Sequence, residues 1–328
     1  MMTNPSFLRS CLAAIAVVAG AASTLPAAAQ SWPTKPIKLI VASAPGGNID
    51  LIARVLGDKL SASLGQPVVV ENKAGAAGNI ASELVAKAPP DGHTLLVVAT
   101  SHSTNLHIYP KLSFDPVKDL TPVSQLGTSY FALVVAPSSP LNAVRDLVAM
   151  AKANRGRVDY ASAGVGQANH LGMELLKNLA GIQMVHIPYT SMGAATTALM
   201  GQQVHASILS LPAVIPAAKT GKLKVLAVTG PKRSEQLPNV PTVAEAGYPA
   251  YAVTGWTGLL APAGTPPAII EKLHQETVKA LRSPDAVERL HMGGLEPVAS
   301  SPKEFDAFIK AEMNKWGKVV KAANIKAE

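Results

Sequence analysis

Short apolar runs rich in β-branched residues alternate with longer stretches of helical spacing along most of this chain. Ile37–Ala42 is the first such run; Pro45-Gly46-Gly47 breaks it, and Ile49–Leu64 then repeats apolar residues at helical intervals. Pro67–Glu71, His93–Ala99, Phe131–Ala136, Val158–Ser162, Met184–Pro188, Val204–Leu209 and Leu223–Val228 predict further strands. Helical patterns fall between them: from Asn79 through Ala88, over Leu141–Asn154, over a stretch ending near Gly181, and over the small-residue segment Gly193–Met200. From Pro266 onward the pattern is mostly helical, divided by Pro284, Gly293-Gly294 and Pro302.

Apolar strands alternating with amphipathic helices predict an α/β fold, with mostly parallel sheets flanked by helices on both faces. The units are too many for one compact sheet, and at roughly 150 residues per domain the length suits two domains. The irregular segments Lys111–Tyr130 and Tyr248–Pro262 read as the two crossings between them. The expected division places residues 30–129 and 253–328 in one lobe and 130–252 in the other, with a hinged cleft between.

The first residues read as an address. Arg9 is followed by the apolar stretch Cys11–Ala22, and Ala27-Ala28-Ala29 precedes Gln30. A positive start, a short apolar core and a small-residue end predict a cleavable secretory signal over residues 1–29 and a periplasmic destination. The apolar core is well short of the roughly 20 residues a membrane helix needs. The single cysteine, Cys11, lies within this segment, so the mature chain is expected to use neither disulfides nor thiol chemistry.

Composition removes other classes. With 48% apolar and 15% charged residues the chain is not a disordered tail. Aromatic residues are only 4%, and the net charge of +8 comes without a dense basic run, so no nucleic-acid partner is expected.

In open α/β sheets, ligands bind at the carboxyl ends of the strands. Three such ends are rich in glycine and small polar residues and precede helices: Ala44–Asp50, Gly75–Asn79 and Ser162–His170. Helix starts present unpaired N–H groups and partial positive charge, and glycine lets a ligand approach them. Converging, they would make an anion site without an arginine. Taken singly, each loop is better explained by ordinary turn and capping chemistry; it is the three together that point toward an anion site. Asp50, in the first helical turn, reads as a cap or loop brace. Gly164-x-Gly166-x-x-Asn169 is an incomplete dinucleotide pattern, and no P-loop, nucleophile elbow or H-E-x-x-H is present. His93, His102 and His107 read as polar loop positions, and His170 and His186 as satisfied structural histidines. No metal site, no cofactor and no catalytic set is expected.

Further residues carry a resemblance that covers essentially the whole mature chain. Trp32–Ile37, Pro45-Gly46-Gly47 with Asp50-x-x-Ala53-Arg54, Val70–Asn79, Pro90–Leu95, Gly164-x-Gly166-x-x-x-His170, His186–Tyr189, Ala217–Leu223, Leu237–Thr242 with Glu245–Gly247, and Trp256–Pro266 occur in order. In these the chain resembles the Bug-type periplasmic solute receptors that serve tripartite tricarboxylate transporters. The resemblance implies a two-lobed type II periplasmic binding protein that holds a small carboxylate with backbone amides, small hydroxyls and water. Carried onto this chain, it implies first-lobe contacts at Ala44, Pro45, Gly46, Gly47, Asn48, Asn79 and Ser101. The second-lobe contacts it implies are Ser162, Gly164, Gly166, Gln167 and Ser210.

Two positions depart from the family pattern. Gln167 stands where many relatives have serine, which reshapes the pocket. Leu209 stands where many have aspartate, which argues for a ligand without an amino group. The expected function is capture of a di-, tri- or aromatic carboxylate by a monomer, for delivery to the membrane subunits of such a transporter. A sensor feeding a signalling kinase and a periplasmic α/β enzyme are the alternatives; the missing nucleophile, base and metal set argue against the enzyme.

Overall fold

Two mixed β-sheets, each flanked by helices, hold the predicted loops in a computed structural model that describes residues 32–109 and 111–326. The expected export signal, residues 1–29, lies outside the described residues. The described residues from Lys35 onward form one compact unit.

The first sheet has strand order β11-β4-β10-β3-β1-β2. Its parallel part comprises β1 (Ile37–Val41), β2 (Val68–Asn72) and β3 (Thr94–Ala99), linked by α1 (Asn48–Leu64) and α2 (Asn79–Ala86). α3 (Ser101–Ile108) follows β3 directly, and β4 (Leu120–Ser129) comes next. Late in the chain β10 (Gly255–Pro262) inserts antiparallel between β3 and β4, and β11 (Leu295–Pro297) pairs antiparallel with β4. α1 stops at Gly65, whose left-handed φ of 69° lets its N–H reach Ser61 O.

The second sheet has order β7-β6-β8-β5-β9. It contains β5 (Phe131–Val135), β6 (Asp159–Ser162), β7 (Val185–Pro188), β8 (Ala206–Ser210) and β9 (Lys224–Val228). The helices between them are α4 (Val144–Ala153), α5 (Ala168–Ala180), α6 (Met192–Met200) and α7 (Leu211–Lys219). β6 runs parallel to β7 and β8, whereas β5 is antiparallel to β8 and β9. The chain ends with α8 (Pro267–Leu281), α9 (Pro284–Met292), β11 and α10 (Pro302–Ala322).

The predicted strands appear within a residue or two, but both presumed irregular crossings contain long strands. β4 occupies half of Lys111–Tyr130, and β10 lies in Tyr248–Pro262 with all its residues buried. An antiparallel strand extends each parallel core, β10 in the first sheet and β5 in the second. Gly258 sits in β10 because the Phe305 ring fills the space a side chain would need. The halves meet where Ser129-Tyr130-Phe131 leads from β4 into β5 and Gly255 pairs with Ser129 on the return.

α10 serves both halves. Phe305, Ile309 and Met313 pack with Ile40, Leu96, Val98 and Trp256 of the first sheet. Within the next turns Trp316, Val319 and Val320 join Leu133, Tyr160 and Leu176 in the core of the second. A capping box between Ser301 and Glu304 starts this helix.

Candidate functional site

Because β1, β2 and β3 are parallel, their carboxyl ends share one edge of the first sheet, and the first group of predicted residues follows those ends. Ala44, Pro45, Gly46 and Gly47 are exposed and Asn48 half-buried. Gly47 caps α1 with an extended backbone and no side-chain hydrogen bond, leaving the first amides of this long helix to another acceptor. The loop is braced from beneath. Gly46 N–H donates to Asp50 Oδ2 at 2.9 Å, Arg54 Nε reaches the same oxygen at 3.0 Å, and Asn72 Nδ2 donates to Asp50 Oδ1 at 2.9 Å. The Arg54 hydrogen bond, with those from Gly46 and Asn72, holds the Asp50 carboxyl at about 2 despite its burial. Asp50 is thus the loop brace expected from its place in the sequence, and the Gly46 amide is committed to it.

Gly75–Gly78 turns through positive φ at every residue and runs into α2 at Asn79. A side chain at Gly78 would press on Ala42, so this turn lies directly against the first loop. Asn105 of α3 ties in the third strand end, donating from Nδ2 to Asn79 Oδ1 at 2.7 Å and to Ala77 O at 3.0 Å. Ser101, half-buried, opens α3. The structure therefore gathers Ala44–Asn48, Asn79 and Ser101 along one edge. Asn105 is part of the assembly although no local pattern marks it: its partners lie more than a score of residues upstream.

The second group follows the carboxyl ends of the parallel strands β6 and β8. Ser162 is fully buried, and its Oγ accepts Gly164 N–H at 3.1 Å and meets His186 Nε2 at 2.6 Å. Gly166 N–H donates to His170 Nδ1 at 3.0 Å. The two glycine amides and the serine hydroxyl are thus occupied within the loop. Gln167 is the exposed residue before α5, with no side-chain cap, and the first amides of α5 follow it. Ser210 is half-buried at the start of α7, also without a side-chain cap. Leu209 corrects an expectation: it is fully buried in the apolar cluster with Val134, Ala161 and Leu199, so it does not line a cleft. Strand alternation explains this, since Leu209 and Ser210 point to opposite faces of β8. The ligand argument built on Leu209 falls away.

The halves touch close to these loops. A side chain at Gly166 would collide with Ile108 at the far end of α3, and one at Gly294 with the Pro212 ring of α7. One two-turn helix thus joins Ser101 on the first side to Gly166 on the second. None of the predicted contact residues is Lys or Arg, and Arg54 is tied to Asp50. Chemically, the arrangement offers amide donors and helix-start dipoles to an anion. Among the described residues no group of His, Cys, Asp or Glu is placed to hold a metal ion, and no helix is long and apolar enough to cross a membrane.

Comparison with known proteins agrees with this fold. The pattern of the family described as tripartite tricarboxylate transporter family receptor matches residues 52–325. Protein BugT of Bordetella pertussis is 38% identical over 311 residues, 94% of this chain and 95% of that protein. The solved structure of R. palustris Rpa4515 with adipate is 35% identical and superposes with a TM-score of 0.79 over 90% of this chain and 100% of that one. MatC from Rhodopseudomonas palustris with bound malate is 32% identical, with a TM-score of 0.76 over 88% of this chain and 100% of that one.

Proposed function

The chain belongs to the tripartite tricarboxylate transporter receptor family, and on that premise we propose that it captures a small organic carboxylate in the periplasm and hands it to the membrane subunits of such a transporter. Its family and its structural neighbours are solute-binding proteins, not enzymes. Residues 1–29 act in this reading as the export signal.

The observation that carries the proposal is the gathering of glycine-rich helix starts at the carboxyl ends of both parallel strand sets, with no cationic side chain among them. The first amides of α1 and α5, with Asn79, Ser101, Gln167 and Ser210, grip the carboxylate groups. Ser162, Gly164 and Gly166 shape the loop that offers them. Charge-assisted hydrogen bonds contribute about 1.5–3 kcal/mol each, so a few of them support micromolar binding, about −8 kcal/mol. Uncharged donors avoid the cost of desolvating a fixed cation at each cycle. Closure of the two halves supplies the differential affinity that the transporter reads.

Adipate and malate, the ligands of the two R. palustris neighbours, are the first probes. A thermal-shift screen of mono-, di- and tricarboxylates and aromatic acids is expected to raise the melting temperature with at least one of them, because a ligand that binds only the folded state stabilises it. No shift with any carboxylate, alongside a shift with cationic or neutral solutes, overturns the reading.

A further inference from the structure

The Ser162–Gln167 loop rests on a stack of aromatic rings that carboxylate binding does not itself employ. The His170 and His186 rings lie 3.9 Å apart at 11°, and Tyr160 stacks on His186 at 5.1 Å and 22°. Both imidazoles hold the loop. His170 Nδ1 accepts Gly166 N–H at 3.0 Å, which places the ring proton on Nε2, 3.9 Å from Glu174 Oε1. His186 Nε2 meets Ser162 Oγ, the same hydroxyl that accepts Gly164 N–H. Glu174 is anchored in turn by the Tyr160 hydroxyl and the Lys177 ammonium. Gly164 and Gly166 have φ of 121° and 76°, so this backbone path suits glycine and is pinned at both glycines by the layer beneath. On its other side Gly166 abuts Ile108.

We propose that His170, supported by His186, is a positioning residue for ligand binding: by accepting the Gly166 amide, its ring holds the loop in the conformation that presents Gln167 and the first turn of α5 to the carboxylate. The proposal rests on the carboxylate reading of the same site. Burial, reinforced for His170 by Lys177, lowers the two rings to about 4 and 3, so near neutral pH both are uncharged and His170 Nδ1 keeps its lone pair for the Gly166 amide. A protonated His170 would turn a second N–H toward that of Gly166.

Three variants separate positioning from bulk structure. Asn places an acceptor oxygen where Nδ1 stands, Gln displaces it by one bond, and Phe keeps the stacking and removes the acceptor. Affinity for adipate and malate is measured by calorimetry, and hydrogen exchange of the Gly166 amide by NMR, on full-length mature protein. His170→Asn is expected to keep wild-type affinity and Gly166 protection. His170→Gln and His170→Phe are expected to lose about tenfold or more in affinity, the scale of one hydrogen bond, with faster Gly166 exchange. Should His170→Phe not fold, the Asn and Gln variants decide. Equal affinity in Asn and Gln variants, or lost affinity with unchanged Gly166 exchange, overturns the proposal. If wild-type protein binds neither probe, the affinity arm uses the carboxylate found in the thermal-shift screen; if no carboxylate binds, the carboxylate reading fails instead, and unchanged Gly166 exchange in His170→Gln would still overturn the clamp.

Discussion

Asp50 accepts the backbone amide of Gly46, four residues upstream, through the same carboxylate oxygen that Arg54 holds from one turn downstream. The carboxylate closes the loop into a ring that the helix itself completes. Asp50→Ala leaves the Gly46 amide, the Asn72 amide and Arg54 without this partner. The expected loss is about 2–3 kcal/mol of stability, the scale of hydrogen bonds to a buried charge, read as a lower urea midpoint. An unchanged midpoint would sink the brace.

Acid should weaken the fold in two separable stages. His170 and His186 sit at about 4 and 3 in the folded protein, and buried His102 at about 4, against 6.5 for a free imidazole. Burial is the leading cause in all three. Below about pH 6.5 the unfolded chain takes up protons that the folded rings refuse. Their contribution is therefore complete above that pH and is lost as pH falls through the folded values. Asp50 acts lower: its contribution is present above 3.8 and disappears as pH drops through about 2. Urea midpoints from pH 7.5 to 4.5 are expected to decline, and a flat profile would contradict the neutral-ring assignment.

Gly47→Asp tests the first loop. Gly47 has φ −91° and ψ 176°, which any residue adopts, and a Cβ there meets nothing within 4 Å. The variant should melt like the parent. Its carboxylate, at the start of α1, should abolish binding of adipate or malate by occupying and repelling at the same donors. Unaltered affinity in a fluorescence titration would remove this loop from the site.

Gly294→Ala tests the second contact between the halves. Gly294 has φ +69°, and a methyl group there runs into Pro212. Backbone strain and forced repacking should cost about 1–3 kcal/mol, measured as a lower melting temperature. The neighbouring Gly293→Ala is not an innocent control, since its methyl would meet Leu51.

The parallel halves of both sheets were legible because most of their strands carry short apolar runs that give way to small or polar residues. Leu95–Val98 and Leu39–Val41 are buried throughout. β4 and β10 escaped because burial on both faces removes the polar alternation, while Ser124, Gln125 and Thr128 in one and Gly258 in the other disguise the run. Around the site, the loops were visible as glycine-rich turns, and Asp50 as a brace. Which amides those loops keep for themselves was not. That depends on contacts such as Ser162 with His186 and Asn79 with Asn105, made across intervening strands and helices. Leu209 was misplaced for a simpler reason: at a strand's end, one step along the chain exchanges the two faces of the sheet.

Helix α10 lends aromatic and aliphatic side chains to both cores from a single rod. In the cycle proposed above, a rocking of the halves onto a solute must keep that rod seated at both ends, which restricts it to a pivot of limited arc. Heat or urea, for the same reason, should dismantle the two halves together.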